Sequence, residues 1–427
     1  MHLSATHASG NVPTARRVAP KPLNPVLSRR CFNARISRLS LLGAARAFIV
    51  LVALGTVVAM ALMWPTNVGD KFSEVVQPSD KATVTGIDDR PCGATVSDRC
   101  IRVLIQLDSG DEAGSRGVIQ WNANGVDPDV HVGDKLRVAQ AQEIPGYEEY
   151  GQNTWTLVDF QRGPALIALF AIFAVMVLLL SRLRGALSLI GLGISLLLIL
   201  VYVIPAILDG KPPVAVAISG SLAIGLIAIL LAHGRGPKAV AAMLGTTSSL
   251  LLTALLAVIF TSATRLTGLS GEEAFALRLA DPSVSLQGLL IAGMIIGALG
   301  VLDDVTVSQS STVFALRAAN PDLGFRELFG RAMDVGRDHV AATVNTLVLA
   351  YAGSSLPVLL IFASGALGAG EALNLELVAE QVVATLVGSI GLIVAVPATT
   401  ALAALLALHT PRAELEHEAA HGHAHTH

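Results

Sequence analysis

Two adjacent carboxylates, Asp303 and Asp304, follow directly on an eighteen-residue run without a formal charge, 285–302. Ser308, Gln309 and Ser311 come within the next two or three helical turns. The uncharged run is nearly long enough to cross a bilayer, and ionisable groups at such a boundary are costly unless hydrated, paired or used. Acids beside hydroxyl and amide oxygens suit a hard cation or a proton in transit. Two structural alternatives stand beside that chemistry. Thr306-Val-Ser-Gln309 has the form of a capping box, so the aspartates could instead open a new helix running through Ala318. The segment could equally be a docking surface. At the carboxyl end of a helix the acids would oppose its dipole by ~0.3–1 kcal/mol, so that placement needs a reason.

A second constellation is Arg331-Ala-Met-Asp334-Val-Gly-Arg337-Asp338-His339, with Asn345 and Thr346 further on. On a helix Asp334 lies one turn from Arg337 and Asp338, while Asp338 and Asn345 share a face. Asn345, inside an apolar stretch, needs a partner and is expected to face other helices. A pair between Arg337 and Asp303 or Asp304 would neutralise both boundary charges; the alternative is an ordinary interfacial collar of charge. His339 is a candidate proton carrier, though a histidine at the start of a span is commonly just interfacial.

Five histidines crowd the C-terminal tail: His417, His421, His423, His425 and His427. Such a tract can wrap zinc, nickel or copper, but without fixed geometry, so adventitious binding is the expectation and no dedicated cofactor is implied. Cys92 and Cys100 lie eight apart in a polar segment and can close a disulfide if that segment is extracytoplasmic. No nucleotide-binding, dinucleotide or hydrolase motif is present, so no enzyme is expected.

The elements that must position these groups are membrane helices. Hydrophobic residues make up 53% of 427 positions and charged residues only 14%, far below the roughly one quarter of soluble domains. Abundant glycine and alanine suit helices packed closely in lipid. A net charge of -3 and the lack of a basic, aromatic-interleaved stripe exclude a nucleic-acid binder. Residues 1–45 are Pro-, Arg- and Ser-rich without an acid and read as a disordered basic tail. Eight apolar spans follow, at 47–63, 164–180, 185–207, 213–232, 239–260, 285–305, 339–364 and 380–408, with a His-rich tail at 409–427. A cleaved signal peptide ending near Ala59-Met60-Ala61 is the rival for the first span. With the N-terminus inside, inner loops hold eight basic residues and the short outer loops Lys211, Arg265 and Arg278, so both termini fall in the cytoplasm.

Between the first two spans, 64–163 is a different material, with Val-rich alternation and turn signals such as Asp108-Ser-Gly110 and Val132-Gly-Asp134. About five short strands predict a small extracytoplasmic β-barrel, OB-like in size. A helix start is expected at Ser270-Gly-Glu-Glu and another at Asn320-Pro321-Asp322. Pro205 and Pro397, with Gly191 and Gly391, form a weak echo between two spans that would fit the broken helices of a transporter.

Gly297-Ala-Leu-Gly-Val-Leu-Asp-Asp-Val-Thr-Val-Ser-Gln-Ser, the run from Gly330-Arg-Ala-Met-Asp-Val-Gly-Arg-Asp-His339 to Ala350-Tyr-Ala-Gly353, and Val387-Gly-Ser-Ile-Gly-Leu-Ile-Val-Ala-Val-Pro-Ala-Thr399 resemble the YibE/F family of bacterial membrane proteins. The resemblance runs over about 64–408 and leaves both tails outside. It implies a cytoplasmic-membrane protein with a small extracytoplasmic domain, and no substrate. The leading expectation is a permease for an ion or small solute, using Asp303, Asp304, Ser308, Gln309, Ser311, Arg337, Asp338 and Asn345 as a polar site near the inner side. The alternative is a membrane scaffold that binds an envelope partner through 64–163. Beyond the bilayer itself, a second copy of the chain is the remaining expected partner.

Overall fold

The computed structural model describes residues 25–66, 79–91, 99–122, 129–140, 154–363 and 368–415. Cys92 and the five tail histidines lie outside them, and so does any account of a Cys92–Cys100 bridge. The chain opens with α1 (Pro25–Leu62), continues through a five-stranded domain and ends in a helical bundle. Helix α1 starts twenty residues before the expected span, so 25–45 is helical where composition predicts disorder. Its proline sits at the first helical position, where the missing N–H matters least.

Strands β1 (Asp80–Pro91), β2 (Arg99–Leu107), β3 (Arg116–Asn122), β4 (Lys135–Gln140) and β5 (Thr154–Phe160) close into a barrel in the order β1-β2-β3-β5-β4. All ladders are antiparallel except β3 with β5. This is the OB-like arrangement. Inward alternation is strict enough to read from the chain: Val103, Ile105 and Leu107 on β2 are buried and the residues between them face out. Ile119, Leu136, Val138 and Trp155 join them in one apolar core. Gly117 is required there, because a Cβ would collide with the Trp155 indole.

Among the described residues seven helices are long and apolar enough to cross a membrane: Leu41–Leu62 within α1, α2 (Gly163–Leu183), α3 (Gly185–Leu208), α4 (Pro213–His233), α5 (Pro237–Ala263), α7 (Leu286–Ala319) and α11 (Glu376–His409). Between α2 and α3 the backbone leaves the helical region at Arg182, with φ 47° and ψ −125°. Short α6 (Glu272–Ala280) lies in the connection before α7, with its two acids in the first turn as expected and Gly271, not Ser270, at the cap position. The eighth expected span, 339–364, is not one helix. It is shared between α8 (Phe325–Ser354) and α9 (Leu356–Ala363), with α10 (Ala369–Asn374) ahead of α11.

Contacts nevertheless give α8 the direction of a crossing segment. Helices α7 and α11 run parallel: Val305 packs with Leu392 and Val396, and Gln309 meets Thr400 further along both. Helix α5 is antiparallel to them, since Thr246 meets Thr306 while Thr261 meets Met294. The chain from α7 to α11 must therefore come back. Helix α8 does so, touching Gln309 at Ala332, the Val305 cluster at Val340 and Val344, and Gly297 at Tyr351.

The bundle core differs in kind from the barrel core. Where α5 crosses α11, Gly245 seats the Thr399 side chain and Gly391 seats the Thr253 side chain, so each helix offers a glycine to the other's threonine. Any Cβ at either glycine would overlap a hydroxyl. Lipid supplies little hydrophobic drive between helices, so close backbone approach and hydroxyl contacts hold them instead.

Candidate functional site

Helix α7 is continuous for 34 residues, so Asp303 and Asp304 sit in its middle and not at a terminus. Ser285 is the actual N-cap, its hydroxyl accepting the Gly288 N–H at 3.1 Å. The capping-box expectation at Thr306–Gln309 is thereby overturned. A helix whose i→i−4 ladder is unbroken has no free N–H groups for Thr306 to cap.

Both aspartates line a cavity of about 290 Å³ between α3, the end of α4 and α7. Gly300, Asp303, Asp304 and Val307 provide one helical face; Ser188, Gly191 and Ser195 of α3 provide another at three- and four-residue spacing. His233, the last residue of α4, adds an imidazole. Asp304 is exposed to this space, whereas Asp303 is half-buried, and its Oδ1 is sealed with no hydrogen-bond partner among the described residues. The Ser195 hydroxyl donates back to the Gly191 carbonyl at 2.9 Å, leaving its oxygen lone pairs available to the cavity. Among the described residues no three carboxylate, imidazole or thiol groups assemble into a metal centre. The donor set fits a cation that keeps part of its water, not one held in a full protein cage.

The remaining expected residues separate from the cavity. Ser308 is half-buried and its hydroxyl turns to the Val305 carbonyl at 3.0 Å. Gln309 is buried on the other side of α7, where its Nε2 donates to the Ala332 carbonyl at 2.8 Å and to Thr400 Oγ1 at 2.7 Å. It locks α7, α8 and α11 together. Ser311 is half-buried one turn beyond Ser308 and lies outside the cavity wall.

Arg337 does not reach Asp303 or Asp304. Its Nη1 donates to Asp334 Oδ1 at 2.8 Å, and both side chains are about 70% exposed. It borders a different, largely apolar cavity of about 360 Å³ with Val340, Val396 and Pro397. The expected cross-helix ion pair is thus replaced by a local one, because a carboxylate one turn away needs no tertiary fold to find its partner. Asp338 and Asn345 are exposed on α8, so the expectation that Asn345 faces other helices is also corrected. His339 is half-buried, with Nε2 sealed and unpartnered among the described residues.

Ser188, Ser195 and His233 escaped the reading of the sequence. The Ser188-Gly191-Ser195 stripe was legible as small and polar residues on one face of an apolar helix, but nothing in the chain says which helix that face meets. A second hydroxyl layer was equally hidden: Thr246 Oγ1 of α5 and Thr306 Oγ1 of α7 lie 2.5 Å apart, fully buried, and Thr306 also reaches the Asp303 carbonyl at 3.2 Å.

A family model described as YibE/F-like protein matches residues 169–409, more than half of the chain, from within α2 to the end of α11. Searches of curated proteins and of solved structures find no match.

Proposed function

The chain belongs to the YibE/F-like family of membrane proteins, and from that premise we propose that it is a secondary permease passing a small cation through the cavity beside Asp303 and Asp304. The observation that carries this reading is a pair of carboxylates on the wall of a cavity midway along an apolar helix, one oxygen sealed with no hydrogen-bond partner among the described residues. Carboxylates in such a place are expensive and signal an ion or proton path. Hydroxyls from Ser188 and Ser195 and the carboxylates strip part of a cation's water; the missing remainder of a cage keeps binding weak enough for release. The protein sits in the bacterial cytoplasmic membrane with both termini inside. The returning direction of α8 supports an even number of crossings, and the basic loops support that orientation.

The test is flux in liposomes carrying the full chain, with radiolabelled sodium, rubidium, magnesium and manganese offered singly. Asp303→Asn and Asp304→Asn at equal incorporation should each lower the flux of the transported cation by about tenfold or more. Equal flux in both variants and the parent would overturn the assignment. A second reading, a scaffold holding an envelope protein through the barrel, is favoured by exposed Ile87 and Leu104 on adjoining strands. Deleting 70–160 separates the two: the scaffold loses its partner with cation flux untouched.

A further inference from the structure

Away from the Asp303 cavity, toward the other end of the bundle, α11 begins with two more carboxylates, Glu376 and Glu380, one turn apart. They differ in how well they are satisfied. Glu376 is fully engaged: its carboxylate takes the Thr267 and Gly268 N–H groups, the latter at 2.7 Å, and the Thr267 hydroxyl at 2.9 Å. It pins the connection that leaves α5. Glu380 is only 7% exposed; its Oε2 accepts the Ser270 hydroxyl at 2.6 Å, but Oε1 is sealed with no partner among the described residues. A carboxylate needs both oxygens solvated or bonded, and a buried one lacking that is most readily relieved by a proton.

Between Glu380 and Asp303 runs a seam of hydroxyls at successive depths. Thr385 and then Ser389 follow Glu380 on α11, and Ser389 is buried with its Oγ unpartnered among the described residues. The Gly391–Thr253 crossing puts α5 beside this level, and there Ser249 is 2% exposed, its Oγ likewise without a partner among the described residues. Two turns along α5 from Thr253 comes the Thr246–Thr306 contact, which touches the Asp303 backbone. Ser221 of α4, also unpartnered among the described residues, shares with Thr246 and Thr247 a cavity of about 10 Å³, the size of one water. Sealed hydroxyls in an apolar bundle call for acceptors, and among the described residues those of Ser221, Ser249 and Ser389 have none.

Resting on the permease reading, we propose that Glu380 is a second, proton-exchanging carboxyl, joined through this seam to Asp303, and that cation movement is coupled to protons. A proton from water on the Glu380 side binds Oε1 and turns the carboxylate into a carboxylic acid. It then leaves along hydroxyls and waters, each accepting one proton and passing on another, to the Asp303 carboxylate. Release into the cavity water regenerates that carboxylate. One positive charge moves per proton, no electron is transferred, and a cation travelling the opposite way balances the charge. The charged group nearest Glu380 on its own helix is Glu376; in the connection Arg265, Glu272 and Glu273 are exposed, Asp281 is bonded to Ser283 and Arg278 to the Pro282 carbonyl. The facing ends of α5 and α7 bring Thr261 and Met294, neither charged.

The experiment uses full-length protein in liposomes holding a pH-sensitive dye, with the potential clamped by potassium and valinomycin and an acid step applied outside. Glu380→Gln keeps the acceptor for Ser270 but cannot carry a proton, and acid entry should fall by about tenfold or more. Glu380→Asp should restore most of it, and Glu376→Gln should change it less than about twofold. Cation exchange at equal pH on both sides should persist in all three. Acid entry in Glu380→Gln equal to the parent overturns the coupling while leaving the permease intact. Loss of both acid entry and cation exchange in Glu380→Gln and Glu376→Gln alike also overturns it, since that marks a structural latch. Glu380-dependent acid entry in a parent that exchanges no cation upholds the proton route and removes the permease; a parent inert in both assays removes both.

Discussion

The barrel and the bundle are built on opposite principles within one chain. The barrel core is Val, Ile, Leu, one Ala and one Trp. The bundle core alternates apolar side chains with glycines, serines and threonines, and its tightest crossing is a reciprocal exchange of glycine and threonine between α5 and α11. In water, burying apolar area drives assembly at ~25 cal/mol per Å², so the best core is the largest and greasiest one. In lipid that gradient is gone, and small residues gain by letting backbones and hydroxyls touch. The lesson concerns function too. A core that already holds hydroxyls keeps polar groups inside the membrane at little extra cost.

The comparison can be broken from the barrel side first. Ile105→Ala removes a fully buried side chain and should cost about 2–5 kcal/mol. Hydrogen exchange of the strand peptides in the intact protein reads this directly; protection equal to the parent would mean the barrel core is not the source of its stability. In the bundle, the matching perturbation is an addition. Gly391→Ala pushes a methyl into Thr253 and should destabilise α5 against α11 by about 1–3 kcal/mol, seen as a lower detergent unfolding midpoint. Smaller again is Thr246→Val, which breaks the Thr306 contact and should cost about 0.6 kcal/mol. A loss several times larger would show that the hydroxyl seam holds the bundle together.

The smallest effect lies at the barrel's exit. The Arg162 guanidinium, 2.6 Å from Asp159 Oδ1, and then the Phe160 N–H hold the Asp159 carboxyl below the ordinary carboxylate range. A depressed folded value means the interaction favours the folded state above the unfolded value of about 3.9 and fades as pH falls through the folded one. Arg162→Ala should let Asp159 titrate back toward the ordinary range, as followed by carboxyl NMR. The pair is exposed, so stability at neutral pH should barely move.

How much was legible follows from what each signal depends on. Val103, Ile105 and Leu107 announced an inward strand face by period two, and five such segments announced the barrel. Apolar runs gave eight spans; among the described residues seven are single long apolar helices, and the eighth is divided between α8 and α9 because hydropathy does not register the break at Ser355. Asp303 and Asp304 stood out because acids after an uncharged run are rare. Their companions did not, since Ser188, Ser195 and His233 come from helices whose rotation and neighbours are set only by packing. Arg337 was misassigned for the reverse reason: its partner Asp334 was visible one turn away, and a local pair forms before any distant one is available.

What the residues alone determined is the medium and the unit: which stretches belong in lipid, which alternate for a β-barrel, and where an acid is out of place. What only the tertiary structure decided is company. Which face of α7 meets α3 and α4, that Gln309 braces three helices, and that Glu380 is sealed while Glu376 is saturated all depend on helix rotations. Those rotations are set by close side-chain fits, of which the glycine-on-threonine contacts of α5 and α11 are one, and composition and periodicity carry no record of them.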